Sequence, residues 1–369
     1  MLRSAMAQTH DPASRSFAPA SGGTAADPLS DVLQTVRLNG ALFFRVEASC
    51  PWCVDVPEAG AFQELVLPGS TAVVSYHVVT AGIGWVMMAG EKPVRFEAGD
   101  VLIFAHGDAY SLKSDPEAPP EYPADATVAF LGEMAAGRLP FDVMEGGGAP
   151  PRTRYVCGYL GCDAGPFNPV LDALPAFLRV KRSTAGPDLL DHLLDFALAP
   201  DRGGPGSAIV RLRLCELVFI EALRRHLSSL PASSSGWLAG LRDPVVGRAL
   251  ALLHAEPAQP WTVADLARAA GTSRAVLAAR FAERVGMPPI QYLANWRMQC
   301  AVQKLAAPGA RVASIAHEVG YESEAAFCRA FKKVTGVPPA QWQKRATRRL
   351  LPCPGSPAAD RPNHCADRR

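Results

Sequence analysis

The sequence predicts an α+β chain: a β-barrel with accessory helices, then an all-α C-terminal domain with two helix-turn-helix units. Three observations carry this. Between residues 41 and 131, short β-branched and aromatic runs are punctuated by Gly, Pro, Asp and Asn, as in a small barrel or sandwich. Beyond residue 240 the apolar period turns helical and stays so. The twenty residues "SRAVLAARFAERVGMPPIQY", at 273–292, return 50 positions later as "SEAAFCRAFKKVTGVPPAQW", at 323–342.

A chain of 369 residues has room for two domains, each with its own core. Hydrophobic residues make up 49% and charged residues 20%, the balance of a globular protein in water. No apolar run reaches the roughly 18 residues of a membrane span, so no membrane partner is expected. The first 27 residues are small and polar, without the apolar core of a secretion signal. Nine cysteines in such a chain suit reduced thiols, and the expected compartment is cytoplasmic. Of 37 Lys+Arg and 35 Asp+Glu, residues 241–349 hold 16 and 7, leaving 21 and 28 for the remainder. That split points to a basic domain that meets polyanions, joined to an acidic domain with another task.

Taken in order, residues 1–27 read as a disordered tail and 28–227 as the first domain. Asp27 before Pro28 caps a helix in "DPLSDVLQTVRL". The runs "ALFFRVEA", "FQELVLPG", "TAVVSYHVVT", "IGWVMMAG", "PVRFEAGDVLIFAHGD" and "TVAFLGEM" read as strands, and "EGGGAPPR" at 145–152 as a loop. Two helices follow, "PDLLDHLLDFAL" and "SAIVRLRLCELVFIEALRRHL". In the second, Ile209, Leu212, Leu217, Ile220 and Leu223 form an apolar stripe, read as core or as a homodimer interface. "SSLPASSSGWLAG", residues 228–240, reads as a linker.

The second domain is placed at 241–345. Val245, Val246, Ala249, Leu250 and Leu253 form one apolar helical face. "TVADLARAAG" and "VASIAHEVG" are short helices that end at Gly271 and Gly320. Each is followed by a turn and a helix capped by a serine, Ser273 or Ser323. A long helix, about 288–306, joins the two units. Residues 346–369, Pro-rich and holding Cys353 and Cys365, read as a disordered tail.

Helix, turn, capped helix is the helix-turn-helix pattern, and it occurs twice. Leu277 matches Phe327, Phe281 matches Phe331, and Gly286-Met-Pro-Pro matches Gly336-Val-Pro-Pro. These residues, with "LARAAGTSRAVLAARF" and "IAHEVGYESEAAFCRAFKKVTGVPPAQW", resemble the AraC/XylS-type transcription regulators. The resemblance implies that both second helices enter successive major-groove segments of double-stranded DNA. It also implies RNA polymerase as a partner if the protein activates.

A helical wheel at about 100° per residue sets Ala275, Ala278, Ala279, Ala282 and Glu283 opposite Leu277 and Phe281. The same face of the second unit holds Ala325, Cys328, Arg329, Lys332 and Lys333, with Glu324 at its start. Alanine touches thymine methyls but cannot hydrogen-bond base edges, whereas Arg329 can pair bidentately with guanine. Many members of the family carry Arg where this chain has Ala279. Arg274 and Arg280 flank the first face and are assigned to phosphates, while Lys332 and Lys333 suit phosphate contact or plain solvation.

Residues 28–180 resemble the cupin-like sensor domain of one branch of that family, through "YHVVTAGIGW", "EAGDVLIFAHGDAY" and "CGYLGCDAGPFNPVLDALP". The resemblance implies a small barrel that senses a small molecule or a thiol oxidant. His77, His106 and Tyr110 are its candidate pocket residues. Two histidines are too few for the three or four ligands a metal needs, so no metal and no cofactor is expected. The alternative reading is a cupin-type metalloenzyme fused to a DNA-binding domain. In "CPWC", Cys50 and Cys53 form a candidate redox sensor, a zinc half-site or barrel packing. A zinc site would need Cys157 and Cys162 as its second pair.

Overall fold

In the computed structural model the described residues are 27–350, apart from 37, 121–123, 163–164, 182–185, 187, 199–204 and 232. The tail expectations for residues 1–26 and 351–369, with Cys353 and Cys365, lie outside them. The chain opens with α1 (Pro28–Thr35), whose N-cap Asp27 accepts from the Leu29 amide at 3.1 Å. Then come β1 (Asn39–Cys50), β2 (Cys53–Val56), α2 (Gln63–Val66), β3 (Ala72–Ala81), β4 (Ile83–Met88), β5 (Val94–Glu97) and β6 (Val101–Phe104). They are followed by β7 (Tyr110–Lys113), α3 (Ala124–Ala135), β8 (Asp142–Gly146), β9 (Ala149–Cys162), α4 (Pro169–Ala173) and β10 (Phe177–Val180).

The strands form a six-stranded sheet, ordered β10-β6-β3-β9-β1-β8, and a four-stranded sheet, ordered β2-β7-β4-β5. β2 and β8 end their sheets, so the expected barrel is two sheets around one core rather than a closed cylinder. α3 packs on β1 and β2 beside that opening. Alternation explains why β3 and β9 read as continuous apolar runs. Val74, Tyr76 and Val78 join one core and Val73 and Val79 the other, because successive side chains point to opposite faces. Gly158 makes the outer face workable: a Cβ there would lie 2.1 Å from the Tyr76 ring. With glycine in place, the Tyr76 hydroxyl donates to the Cys215 carbonyl at 2.9 Å.

Two predicted strands are helices. "FQELVLPG" holds α2, with Phe62 and Val66 buried four apart, and "TVAFLGEM" lies within α3. A short apolar run fits either period, and tertiary contact decides between them. The predicted 145–152 loop shrinks to a turn, since β8 ends at Gly146 and β9 begins at Ala149.

α5 (Leu189–Leu198) and α6 (Ser207–Ser229) pack together, and α6 covers β1. The buried face of α6 is Leu214, Cys215, Val218, Phe219, Ala222 and Leu223. Of the predicted stripe only Leu223 belongs to it; Ile209 and Leu217 are 52% and 47% exposed. α6 ends at Ser229 and α7 (Trp237–Arg242) starts inside the predicted linker, with Trp237 only 3% exposed.

The remaining helices are α8 (Pro244–Ala255), α9 (Val263–Ala269), α10 (Arg274–Val285), α11 (Pro289–Leu305), α12 (Val312–Glu318), α13 (Glu324–Thr335) and α14 (Pro339–Leu350). One hydrophobic core runs from α1 and the outer sheet face through Phe167 into α7, α8, α10 and the first half of α11. A separate core joins the second half of α11 to Ile315, Phe327 and Phe331. The first helix-turn-helix unit is thus welded to the N-terminal part, while the second has its own core. α11 belongs to both.

Candidate functional site

The repeat in sequence is a repeat in structure. Ser273 accepts from the Val276 amide at 3.3 Å and Ser323 from the Ala326 amide at 3.2 Å, starting α10 and α13. Both helices end at left-handed glycines, Gly286 at φ 82° and Gly336 at φ 77°. Leu277 and Phe281 are buried in one, Phe327 and Phe331 in the other. From 281–290 and from 331–340 the order of buried, half-buried and exposed positions is identical.

The outward faces differ in chemistry. Arg274, Ala275 and Ala279 are exposed on α10, and Ala278 is half-buried. On α13, Glu324, Ala325, Arg329, Lys332 and Lys333 are exposed. Cys328 is half-buried and packs against the second core, so it projects less than the wheel suggested. Burial, then the Glu324 carboxylate, raises its thiol pKa.

Arg280, expected at a phosphate, has a partner within the protein. Its Nη2 lies 2.7 Å from Oδ2 of Asp243, whose side chain is 5% exposed. Oδ1 of Asp243 accepts from the Val245 and Val246 amides at 2.9 and 3.0 Å, capping α8. Burial opposes ionisation of Asp243, yet the two amides and Arg280 together hold its carboxyl below the usual range. Asp243 therefore ties α10 to the start of α8. The Asp-Pro signal for a capped helix was present at 243–244, but the Arg280 contact has no local signature.

In the N-terminal part, His77 and Tyr110 come together and His106 does not. His77 Nε2 lies 2.7 Å from the Tyr110 hydroxyl and Nδ1 lies 3.1 Å from Cys157 Sγ. The Tyr110 hydroxyl donates to Ser75 at 3.0 Å. It therefore accepts from His77 Nε2–H, which leaves Nδ1 to accept from the Cys157 thiol. Burial lowers the His77 pKa to about 3 and holds the imidazole neutral. His106 is exposed, with Nε2 2.9 Å from the Leu174 carbonyl, and does not line the cavity around His77.

His77 and Cys157 line a cavity of about 370 Å³ between β2, β8 and α3. Cys53 lines it too, whereas Cys50 does not. Cys157 and Cys162 lie in different cores, because an odd separation along β9 turns them to opposite faces. They cannot complete a zinc site with Cys50 and Cys53. Burial, then Glu145, raises the Cys157 pKa well above that of an ordinary thiol. Among the described residues no three His, Cys, Asp or Glu side chains converge as metal ligands. Sequence reasoning missed Tyr155 and Glu145, which also line the cavity; pairing across strands, not spacing, brings them there.

Residues 27–228 match a Cupin family model and residues 266–345 match a helix-turn-helix domain model. The chain is 35% identical over 329 residues to an AraC-like transcription regulator of Streptomyces lividans, covering 87% of this chain and 99% of that one. A second such regulator, from Streptomyces antibioticus, is 33% identical over 326 residues, covering 86% and 98%. The HTH-type transcriptional regulator AlkR of Acinetobacter baylyi is 28% identical over 324 residues, covering 87% and 100%. With its cupin domain and its paired helix-turn-helix units, this chain belongs to the family of AraC-like transcription regulators.

Proposed function

We propose that the chain reads DNA mainly through α13 and fits it through α10. The matched exposure of the two helices, carrying unlike side chains, supports this. Arg329 contacts a guanine edge, while Lys332 and Lys333 meet phosphates. Ala275 and Ala279 give α10 only methyl contacts, with Ala278 behind them and Arg274 on the backbone. Arg280 acts as a positioning residue through Asp243.

Residues 28–227 receive the signal and 241–345 bind DNA, joined through the core that α1, Phe167 and α11 share. The chain regulates without catalysis: both ring nitrogens of His77 are engaged by protein partners, and its relatives are transcription regulators. A homodimer would use the exposed Ile209 and Leu217 side of α6, and RNA polymerase is the further partner if the protein activates. A small molecule in the cavity suits the site better than a thiol oxidant, because the raised Cys157 pKa suppresses the reactive thiolate. The oxidant reading rests on Cys50 and Cys53.

The experiment is selection of a binding site from random duplex DNA, then titration against selected and random duplexes at several salt concentrations. The proposal expects tighter binding to selected DNA, with log K falling in log salt by about 0.9 per phosphate contact. Equal affinity for both duplexes would point to an architectural binder instead. A thiol oxidant added to the wild type and to a Cys50→Ala/Cys53→Ala variant tests the second signal.

A further inference from the structure

The cavity under α3 has a chemistry of its own. Its roughly 370 Å³ lies within the size range of small-molecule sites. Phe44, Phe130, Tyr155 and Tyr159 supply aromatic walls, and among the described residues no Lys or Arg lines it. Two carboxylates do, Asp55 on the edge strand β2 and Glu145 on the edge strand β8. Both are half-buried. A ligand anion would find no counter-charge among these lining residues, and burying one unpaired is costly.

One polar group in its wall is unspent among the described residues. Tyr155 is 2% exposed and lines the cavity, and its buried hydroxyl has no hydrogen-bond partner among those residues. Buried hydroxyls are nearly always bonded, so this one points to a partner that arrives from outside the chain. The Cys157–His77–Tyr110–Ser75 chain satisfies itself and offers no substitute. A tyrosine oxygen accepts from an N–H, and aromatic faces attract a desolvated cation.

We infer that this cavity binds a lipophilic organic amine in its protonated form. The ammonium sits between Glu145, Asp55 and the Tyr155 oxygen, and the apolar body packs on Phe44 and Phe130. This rests on the reading of residues 28–227 as the part that receives the signal, and it names the chemistry of that signal.

The test is calorimetric titration of the full-length protein with three probes on one skeleton: 4-phenylbutylamine, 4-phenylbutan-1-ol and 4-phenylbutyrate. Near neutral pH these are a cation, a neutral molecule and an anion of matched size. The amine should bind about tenfold or more tighter than the alcohol, a gap of about 1.4 kcal/mol, and the carboxylate weakest of all. Glu145→Gln should remove most of the amine's advantage, and Tyr155→Phe should weaken the amine while leaving the thermal unfolding midpoint near that of wild type. An alcohol that binds as well as the amine, no binding by any probe, or an amine preference that survives Glu145→Gln combined with Asp55→Asn would each overturn the assignment. A parallel DNA titration separates the two readings. If the amine binds without changing DNA affinity, the site stands and its role as signal input fails. If DNA binding is intact and no probe binds, the site fails and the regulator stands.

Discussion

Phe167, just ahead of α4, meets Tyr292 of α11 edge to face, with ring centroids 5.3 Å apart. Around that contact the N-terminal part and the first helix-turn-helix unit share one core. The Tyr292 hydroxyl accepts from Trp237 Nε1–H at 2.8 Å and so donates to His254 Nε2, also at 2.8 Å. His254 stacks on Trp296 at 4.1 Å and holds Nδ1 3.5 Å from Asp31 of α1. That last distance is too long for a strong bond. The Phe167 amide donates to the Gln299 side chain at 3.3 Å. β9, which carries Tyr155 and Cys157 along the cavity, leads directly to this segment.

The shared core predicts that Phe167→Ala reaches beyond its own domain. Removing a buried phenylalanine costs about 3–5 kcal/mol, and here the hole opens against α11. Urea unfolding should report the loss, and DNA affinity should fall although Phe167 lies far from the outward faces of α10 and α13. Unchanged DNA binding in a folded variant would show that the contact carries no coupling.

Gly165 should resist substitution. Its φ is +52°, and an added Cβ would lie 2.2 Å from the Gln299 side-chain oxygen. Gly165→Ala must shift Gln299 and break its bond to the Phe167 amide. We expect destabilisation of about 1–3 kcal/mol, read as a lower urea midpoint with an unchanged slope. A neutral result would mean that the segment yields freely.

Arg274 and Arg280 should behave differently despite flanking the same helix. Arg274→Ala should reduce the slope of log K against log salt by about 1 and leave stability unchanged. Arg280→Met should lower stability, because it leaves the buried Asp243 carboxylate short of a partner, and should leave the salt slope unchanged. If Arg280→Met lowers the slope like Arg274→Ala, Arg280 reaches phosphate and Asp243 is not its main partner.

Acid stability should depend on His77. Its pKa is about 3 in the folded chain against an ordinary 6.5, so between those values the unfolded chain binds the extra proton. Stability therefore falls as pH drops through 6.5 toward 3, by about 1.4 kcal/mol per pH unit for one such group. His77→Asn should flatten this limb relative to wild type. His254, also lowered by burial, keeps part of the slope. A profile as steep as that of wild type would mean that His77 titrates near its ordinary value.

The sequence carried some of this architecture openly and hid the rest. The second helices and their serine caps follow local rules, and they stand where the pattern put them. The outward faces followed from a 3.6-residue period, with Arg280 drawn to Asp243, 37 residues earlier, and Cys328 half-buried against the second core. α3 and α2 were misread because eight-residue segments with four or five apolar residues fit a strand or a helix equally well. The stripe on α6 was displaced because β1 and Tyr76, not helical periodicity, choose its buried face. The cavity was half visible: His77 and Cys53 were named and line it, but Tyr155 and Glu145 reach it through strand pairing.

Ala279→Ser should change binding less than Arg329→Ala, since α10 offers methyl contact and α13 a hydrogen-bonding fork. A larger effect at Ala279 would reverse the ranking of the two units.

The most direct measurement compares Arg329→Ala with wild type on a duplex selected by the wild type and on a random duplex, at one salt concentration. The loss should be about 1–3 kcal/mol on the selected duplex, much smaller on the random one, with specificity relaxed at a single base pair. Equal loss on both would make Arg329 a phosphate contact and leave the chain without its base reader.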